Sequence, residues 1–493
     1  MSQKSLKEAF VSNLNGTTTE EVAIGSLTAP LCFLCRGLVF ILLQQAKISP
    51  SLPLSPMSHL LLDFAVLILP LVVSCTILSD FLHRVVLTSS MLLACLIFSI
   101  YWVNIPAPNH KNTMRTFLLS HVQFSYVPFV TVFRVFVNIK TAISILAVDF
   151  AVFPRRFAKT ETYGTGVMDF GVGAYIFANA LVSPEARSKS TSGSRTAKLF
   201  KQLIAVWPLI ALGMGRLVSV KMTGYHEHVT EYGVHWNFFF TLAVVRIVAS
   251  ALLVILPHRM LIFFSLLIAG LYQFTLETTK LKEFMIHNND RDKDFLYANK
   301  EGIFSVVGNV AIYIAGVEIG LYVMQPRSQV KEWLKLIVRL LVGSFVLYGA
   351  LFACQSLLEP VSRRLANLPF CLWSVAQSLL LLSCFGIADV CLLFAKYTSG
   401  CHFVPSSWTF SKKDSEAASH KEQFKGVCLV QAVSKNQLVF FLLANVMTGL
   451  TNAVVDTFSC TTLFSLGVLT LYMFVNSIVI HVLDTCGIVL KFW

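Results

Sequence analysis

The sequence is poor in charge: only 13% of its 493 residues are Asp, Glu, Lys or Arg, against about a quarter in an ordinary soluble domain. No stretch between its apolar runs is long enough to bury a core of its own, which excludes a soluble domain of any size. The short motifs of common catalytic machinery are also missing. There is no Gly-x-Ser-x-Gly elbow, no P-loop and no dinucleotide fingerprint, so any chemistry must come from acid–base groups at or in the membrane. Cysteine is present, twelve times, but not in a metal or redox pattern. Cys95, Cys371, Cys384 and Cys391 fall inside apolar runs, and Cys32 and Cys35, three residues apart in the first run, suit neither zinc nor a stable redox pair. A leading apolar core is absent too. Met1 to Glu20 is polar and carries Lys4 and Lys7, so no cleavable signal peptide is expected and the first span acts as the insertion signal.

What is there is hydrophobic sequence, 55% of the chain. It predicts an all-α membrane protein, a polytopic bundle of about thirteen transmembrane helices forming one domain over 1–493. The expected spans are 22–45, 60–79, 81–103, 131–150, 167–182, 200–220, 238–256, 259–277, 303–324, 334–353, 369–395, 436–456 and 461–488. An odd count puts the termini on opposite faces. The net charge of +13 lies in short clusters between spans, which fits lipid headgroups and orientation rather than a nucleic-acid face. Alternate loops hold Lys47; Lys111 and Arg115; Arg187, Lys189, Arg195, Lys198 and Lys201; Arg327, Lys331 and Lys335; and the basic 396–435 segment. These loops are expected on the cytoplasmic side. The sequon Asn15-Gly16-Thr17 agrees, since it needs a lumenal N-terminus to be modified. The segments 183–199 and 396–435 read as flexible cytoplasmic loops. No internal repeat is visible, which disfavours transporter folds built from inverted halves.

Polar groups beside or inside spans are costly and so point to function. Asp149 stands where an apolar run ends, and Pro154 stops any helix continuing from it. Arg155, Arg156, Lys159 and Glu161 follow, then Tyr163-Gly164-Thr165-Gly166 and Asp169. A carboxylate there has its proton affinity raised by desolvation and lowered by neighbouring cations, the way enzymes tune a base; alternatively the arginines are interfacial anchors and Asp149 their partner. A second segment runs from Gly224 to Asn237 with His226, Glu227, His228, Glu231, His235 and Trp236. Without a His-Glu-x-x-His helix pattern it reads as a hydrogen-bonded loop rather than a metal site. Two further segments are Tyr297 to Gly302, with Asn299, and Ser362 to Pro369, with Arg363, Arg364 and Asn367. The latter either forks onto a phosphate or anchors a span.

These stretches carry a family resemblance. Leu146-Ala-Val-Asp149-Phe, Phe153-Pro-Arg-Arg-Phe-Ala-Lys159-Thr-Glu161, Tyr163-Gly-Thr-Gly166, Met168-Asp-Phe-Gly-Val-Gly173, Glu231-Tyr-Gly-Val-His-Trp-Asn-Phe-Phe-Phe240, Asn299-Lys-Glu-Gly-Ile303 and Arg363-Arg-Leu-Ala-Asn367 resemble the PIG-W family of glycosylphosphatidylinositol (GPI) inositol acyltransferases. The resemblance runs nearly end to end. It implies a multi-pass enzyme of the endoplasmic reticulum membrane, with a lumenal N-terminus and site and a cytoplasmic C-terminus. Its reaction moves a palmitoyl-type chain from acyl-CoA to the inositol 2-hydroxyl of glucosaminyl-phosphatidylinositol in GPI-anchor synthesis. It also implies no bound cofactor or metal, with palmitoyl-CoA as co-substrate, and places the family's acidic and basic catalytic pair on Asp149 and Lys159.

The residues then take expected roles. Asp149 accepts the inositol proton, and Lys159 holds Asp149 ionised or stabilises the oxyanion. Direct transfer is expected over an acyl-enzyme, because no Ser or Cys in this stretch has an activating neighbour. Arg155 and Arg156 are candidates for phosphate binding, His235 is a reserve acid–base group, and Glu161, Glu231, Trp236, Asn237, Asn299, Arg363, Arg364 and Asn367 are candidate substrate contacts. Fatty chains are expected between spans near Gly164, Gly166, Gly171 and Gly173. Two alternatives stand beside this reading: a lipid or acyl-CoA transporter without chemistry, and an acyltransferase whose intramembrane His235 does the work.

Overall fold

The computed structural model describes residues 14–45, 56–104, 110–123, 127–187, 195–223, 229–288, 290–399, 409–410, 428–457 and 459–490. Apolar sequence in a solvent that cannot hydrogen-bond must satisfy its own backbone, and the described chain is helical accordingly. In chain order the crossing helices are α1 (Thr19–Gln45), α2 (Pro56–Ser74), α3 (Leu82–Asn104), α4 (Pro128–Ala147), α5 (Val167–Ala180), α6 (Trp207–Thr223) and α7 (Phe238–Ile255). They continue as α8 (Leu261–Thr278), α9 (Lys300–Val323), α10 (Val330–Leu357), α11 (Leu368–Ser399), α12 (Gln437–Val454) and α13 (Thr462–Thr485). Of the segments expected to be flexible, 188–194, 400–408 and 411–427 lie outside the described residues. Val122–Gln123 pairs antiparallel with Thr409–Phe410, Val122 opposite Phe410.

Among the described residues, twelve segments are long and apolar enough to cross a bilayer. The expected span 167–182 is the exception and corrects the count of full-length spans. α5 has 14 residues, about 21 Å of helix against a hydrocarbon core of about 30 Å. It nevertheless passes from one face to the other, because its neighbours shelter it from lipid. α4, α9 and α11 pack around it. Gly173 leaves room for Ser374 of α11, Gly316 of α9 for Ala180, and Gly320 for the Leu181 carbonyl; small residues bring the backbones together. A turn through Leu181 to Arg187 completes the passage.

α11 is the central post, touching α1, α3, α4, α5, α8, α9 and α10, and its Phe370, Trp373 and Phe385 are buried. Successive crossings alternate in direction, so one face gathers the starts of the odd helices and the ends of the even ones. Contacts across the sequence place them together: Thr17 bridges Thr165, Val234 donates to the Ala298 carbonyl, and Gly164 donates to that of Val361. At the other face a buried ion pair joins Arg36 of α1 to Asp63 of α2 at 2.5 Å, and Asp63 also accepts from the Leu429 backbone at 2.8 Å.

Candidate active site

The loop from 148 to 166 closes over the end of α4. Phe150, Phe153 and Phe157 are buried beneath it and set its path by hydrophobic anchoring. Asp149 lies at the helix end, its N–H donating to the Leu146 carbonyl at 3.2 Å. Its carboxylate accepts from Asn452 Nδ2, at the end of α12, at 2.7 Å. Pro154 leads into a single 3-10 turn, Arg155–Phe157. The Arg155 guanidinium donates back to the carbonyls of Val148 (2.9 Å), Phe150 (3.0 Å) and Phe153 (2.9 Å), satisfying backbone that the helix end leaves open. Burial pushes its pKa down to about 10, with the Asp149 charge opposing. Arg156 reaches Glu21 at 3.0 Å and Asp80 at 2.6 Å, tying the loop to the entrance of α1 and the approach to α3. Lys159 donates from Nζ to Glu231 at 2.7 Å.

A second layer fixes that loop from behind. The Thr160 N–H meets the Asp169 carboxylate at 3.1 Å, and Arg363 Nε donates to its other oxygen at 2.7 Å; Asp169 and Arg363 are both buried. Gly164, at a φ of +123°, turns the chain where a Cβ would strike the Asn15 carbonyl. Arg364 and Arg291 share Glu301, at 2.9 and 2.7 Å. Glu359 gathers Lys282 at 2.7 Å, the Tyr163 hydroxyl at 3.0 Å, Gln273 at 2.8 Å and Asn367 at 2.9 Å. Burial works against its charge, but these donors hold its pKa below the ordinary value. Burial and the neighbouring Glu359 push Tyr163 up to about 12. Ala366, with a φ of +50°, is strained for a residue with a Cβ, and Gly308 makes way for its carbonyl.

Several expected substrate contacts spend their polar atoms on the fold. Asn237 accepts from the N–H groups of Phe239 and Phe240, the side-chain cap of α7. Asn367 accepts from the N–H of Phe370 at 3.1 Å as α11 begins. Buried Asn299 accepts from the His235 N–H at 2.8 Å. The Trp236 indole donates to Thr241 at 2.9 Å, and His235 Nδ1 stands 3.4 Å from Lys221 Nζ. The Glu161 backbone donates to the Leu14 carbonyl at 3.0 Å. Tyr225, His226, Glu227 and His228 lie outside the described residues. Among the described residues no group of three or more His, Cys, Asp or Glu is placed to hold a metal.

Beside the loop lies a partly open cavity walled mainly by aromatic and aliphatic side chains. Along α4 it runs from Phe133 to Ile145, twelve residues or about 18 Å of helix. That is the scale of one leaflet's hydrocarbon, about 15 Å. Phe136, Phe170, Phe385 and Phe441 face it, and Lys159 stands on its wall; Asp149 is one turn of chain beyond Ile145, the last α4 residue on the wall. Gly171 is also on the wall, whereas Gly173 serves helix packing and Gly164 and Gly166 shape the loop. Among the described residues three cations share the cavity, Lys140, Lys159 and Arg216, and its lining contains no carboxylate. The sequence reading passed over Lys140 and Arg216, although each interrupts an apolar run and the cost of such charges could have marked them. Asn452 carried no comparable signal.

A family model, GWT1, matches residues 3–483. The glucosaminyl-phosphatidylinositol-acyltransferase PIGW of Mus musculus is 45% identical and that of Homo sapiens 42% identical, each over 100% of both chains. The GPI-anchored wall transfer protein 1 of Aspergillus oryzae is 35% identical over 99% of both chains.

Proposed function

The chain belongs to the GWT1 family and is a glucosaminyl-phosphatidylinositol acyltransferase, and we propose that it acylates the inositol 2-hydroxyl from a palmitoyl-type acyl-CoA at a lumenal site of the endoplasmic reticulum membrane. The observation that carries this reading is the meeting of a leaflet-length apolar cavity with the loop bearing Asp149 and Lys159. The cavity holds a fatty chain. The loop supplies the acid–base groups.

In the proposed reaction Asp149, steadied by Asn452, takes the proton of the inositol hydroxyl. The oxygen attacks the thioester carbonyl carbon, and the Lys159 ammonium, steadied by Glu231, stabilises the oxyanion that forms. The carbon–sulfur bond then breaks, the thiolate of CoA leaves, and the proton held by Asp149 is released to it. Transfer is direct, with no acyl-enzyme. Arg155 and Arg156 already hold carbonyls and carboxylates, so a phosphate bound there competes with loop closure.

Asp149→Asn keeps the volume and removes the base. In microsomes supplied with glucosaminyl-phosphatidylinositol and palmitoyl-CoA it is expected to lower inositol acylation by about 10²-fold to 10⁴-fold. A near wild-type rate defeats the assignment. Lys159→Arg keeps the charge but not the compact ammonium, and full activity there argues for a charge-only role.

A further inference from the structure

Arg216 lies on α6, seven residues before that helix ends at Thr223, about 10 Å from the site face. α6 is an outer helix, with only 17% of its apolar stretch buried. A charge at that depth is costly and calls for a partner. The other two cavity cations have theirs: Lys140 Nζ donates to the Gly25 carbonyl at 2.8 Å and Lys159 to Glu231 at 2.7 Å. Arg216 has no carboxylate partner among the described residues, and the cavity wall it shares with Lys159, Tyr232 and Phe238 offers none.

Its backbone is nonetheless held in place. Gly213, one turn earlier on the same helix face, lies against Phe240, and its carbonyl accepts from Asn237 at 2.8 Å. The residue that caps α7 thus also pins the part of α6 that carries Arg216. An exposed guanidinium on a wall whose described residues include no carboxylate can serve as an anion site. Its long stem lets the head reach from apolar depth toward the headgroup layer.

We propose that Arg216 binds the phosphate of a substrate at the lateral opening of the cavity, holding the reacting group beside Lys159. This rests on the acyl-transfer reading above. Two substrates carry such a group: the lipid acceptor, as a phosphodiester, and the acyl donor, as a pyrophosphate. The lipid is favoured by distance, because its phosphate and the accepting hydroxyl sit on adjacent carbons of one ring.

The test uses the full-length protein in nanodiscs, with glucosaminyl-phosphatidylinositol and its neutral methylphosphonate analogue as acceptors and palmitoyl-CoA as donor. Wild type is expected to prefer the charged acceptor by about tenfold in kcat/KM, the scale of one charge-assisted hydrogen bond. Arg216→Gln is expected to erase that preference with the donor KM unchanged, and Arg216→Lys to restore part of it. A donor KM raised about tenfold in Arg216→Gln, with the acceptor preference intact, assigns the same site to the donor phosphate. Both KM values within about twofold of wild type and an intact preference overturn the proposal. Should Arg216→Gln not fold, wild type decides alone: equal use of both acceptors, together with equal use of palmitoyl-CoA and a donor lacking the nucleotide phosphates, overturns it. A wild-type protein that acylates neither acceptor refutes the acyl-transfer reading itself.

Discussion

The basic residues near the site divide between two regions that use the same charge differently. In the loop and the hub behind it, Arg155, Arg156, Arg363 and Arg364 are each bound to carbonyls or carboxylates of the fold. On the cavity wall, Lys140, Lys159 and Arg216 face a surface without a carboxylate among the described residues. The first group makes the loop rigid; in the second, Lys140 and Lys159 are held by the Gly25 carbonyl and by Glu231, and Arg216 keeps positive charge directed at whatever enters. A rigid frame with preorganised charge at the reaction point is what stabilising a developing oxyanion requires.

Breaking the frame gives the largest effect. Arg363 and Asp169 are both buried and joined at 2.7 Å. Arg363→Ala leaves the Asp169 charge buried without its partner, a cost of about 3–5 kcal/mol, and the expected result is a sharp fall in thermal unfolding temperature with no measurable acylation. The double replacement Asp169→Leu with Arg363→Met removes both charges and is expected to recover much of the stability. If the double variant is as unstable as the single one, the pair does more than close a charge.

Glu231→Gln probes the cavity side and separates the two regions. The Lys159–Glu231 pair is partly open to solvent, so its loss costs about 1 kcal/mol of stability or less. Lys159 then keeps its charge but exchanges a carboxylate partner for a neutral amide that aims it less firmly. The expected outcome is a kcat lower by about tenfold, with unfolding temperature and both KM values close to wild type. A kcat that does not change shows that Lys159 needs no aiming, and its wall position alone suffices.

The division also explains what could be read in advance. Hydropathy is a local sum, so twelve of thirteen spans were legible to within a few residues at most ends. The run 167–182 was equally apolar, but no residue count reveals that α4, α9 and α11 shield a helix of 14 residues from lipid. Asp149 and Lys159 stood out because charge beside an apolar run is rare. The partners of Arg155 and Arg156 did not, since the carbonyls of a folded loop leave no mark in sequence and Glu21 and Asp80 lie far along the chain. Asn237 was misleading in a readable way: Asn directly before Phe238-Phe-Phe is a helix-start signal, and it serves as one. Lys140 and Arg216 were present in plain view inside spans.

Lys140 offers the finest test. It lies on α4 nine residues before Asp149, about 13 Å of chain at helical rise, and its ammonium bonds to the Gly25 carbonyl, also on the cavity wall. Beside it Ser26 accepts from Gln377 at 2.6 Å, so a polar bar lies on a mainly apolar wall. An acyl chain long enough to reach that bar has to displace or skirt it. Lys140→Leu replaces the bar with aliphatic surface, and the expected change is a shift in donor preference toward longer chains by about threefold, with kcat on palmitoyl-CoA nearly unchanged. The size follows from one methylene gaining most of its apolar contact, worth up to about 0.8 kcal/mol, or about fourfold. An unchanged preference across donors of graded length would mean that the chain lies elsewhere, and that the carboxylate-free wall serves the headgroups alone.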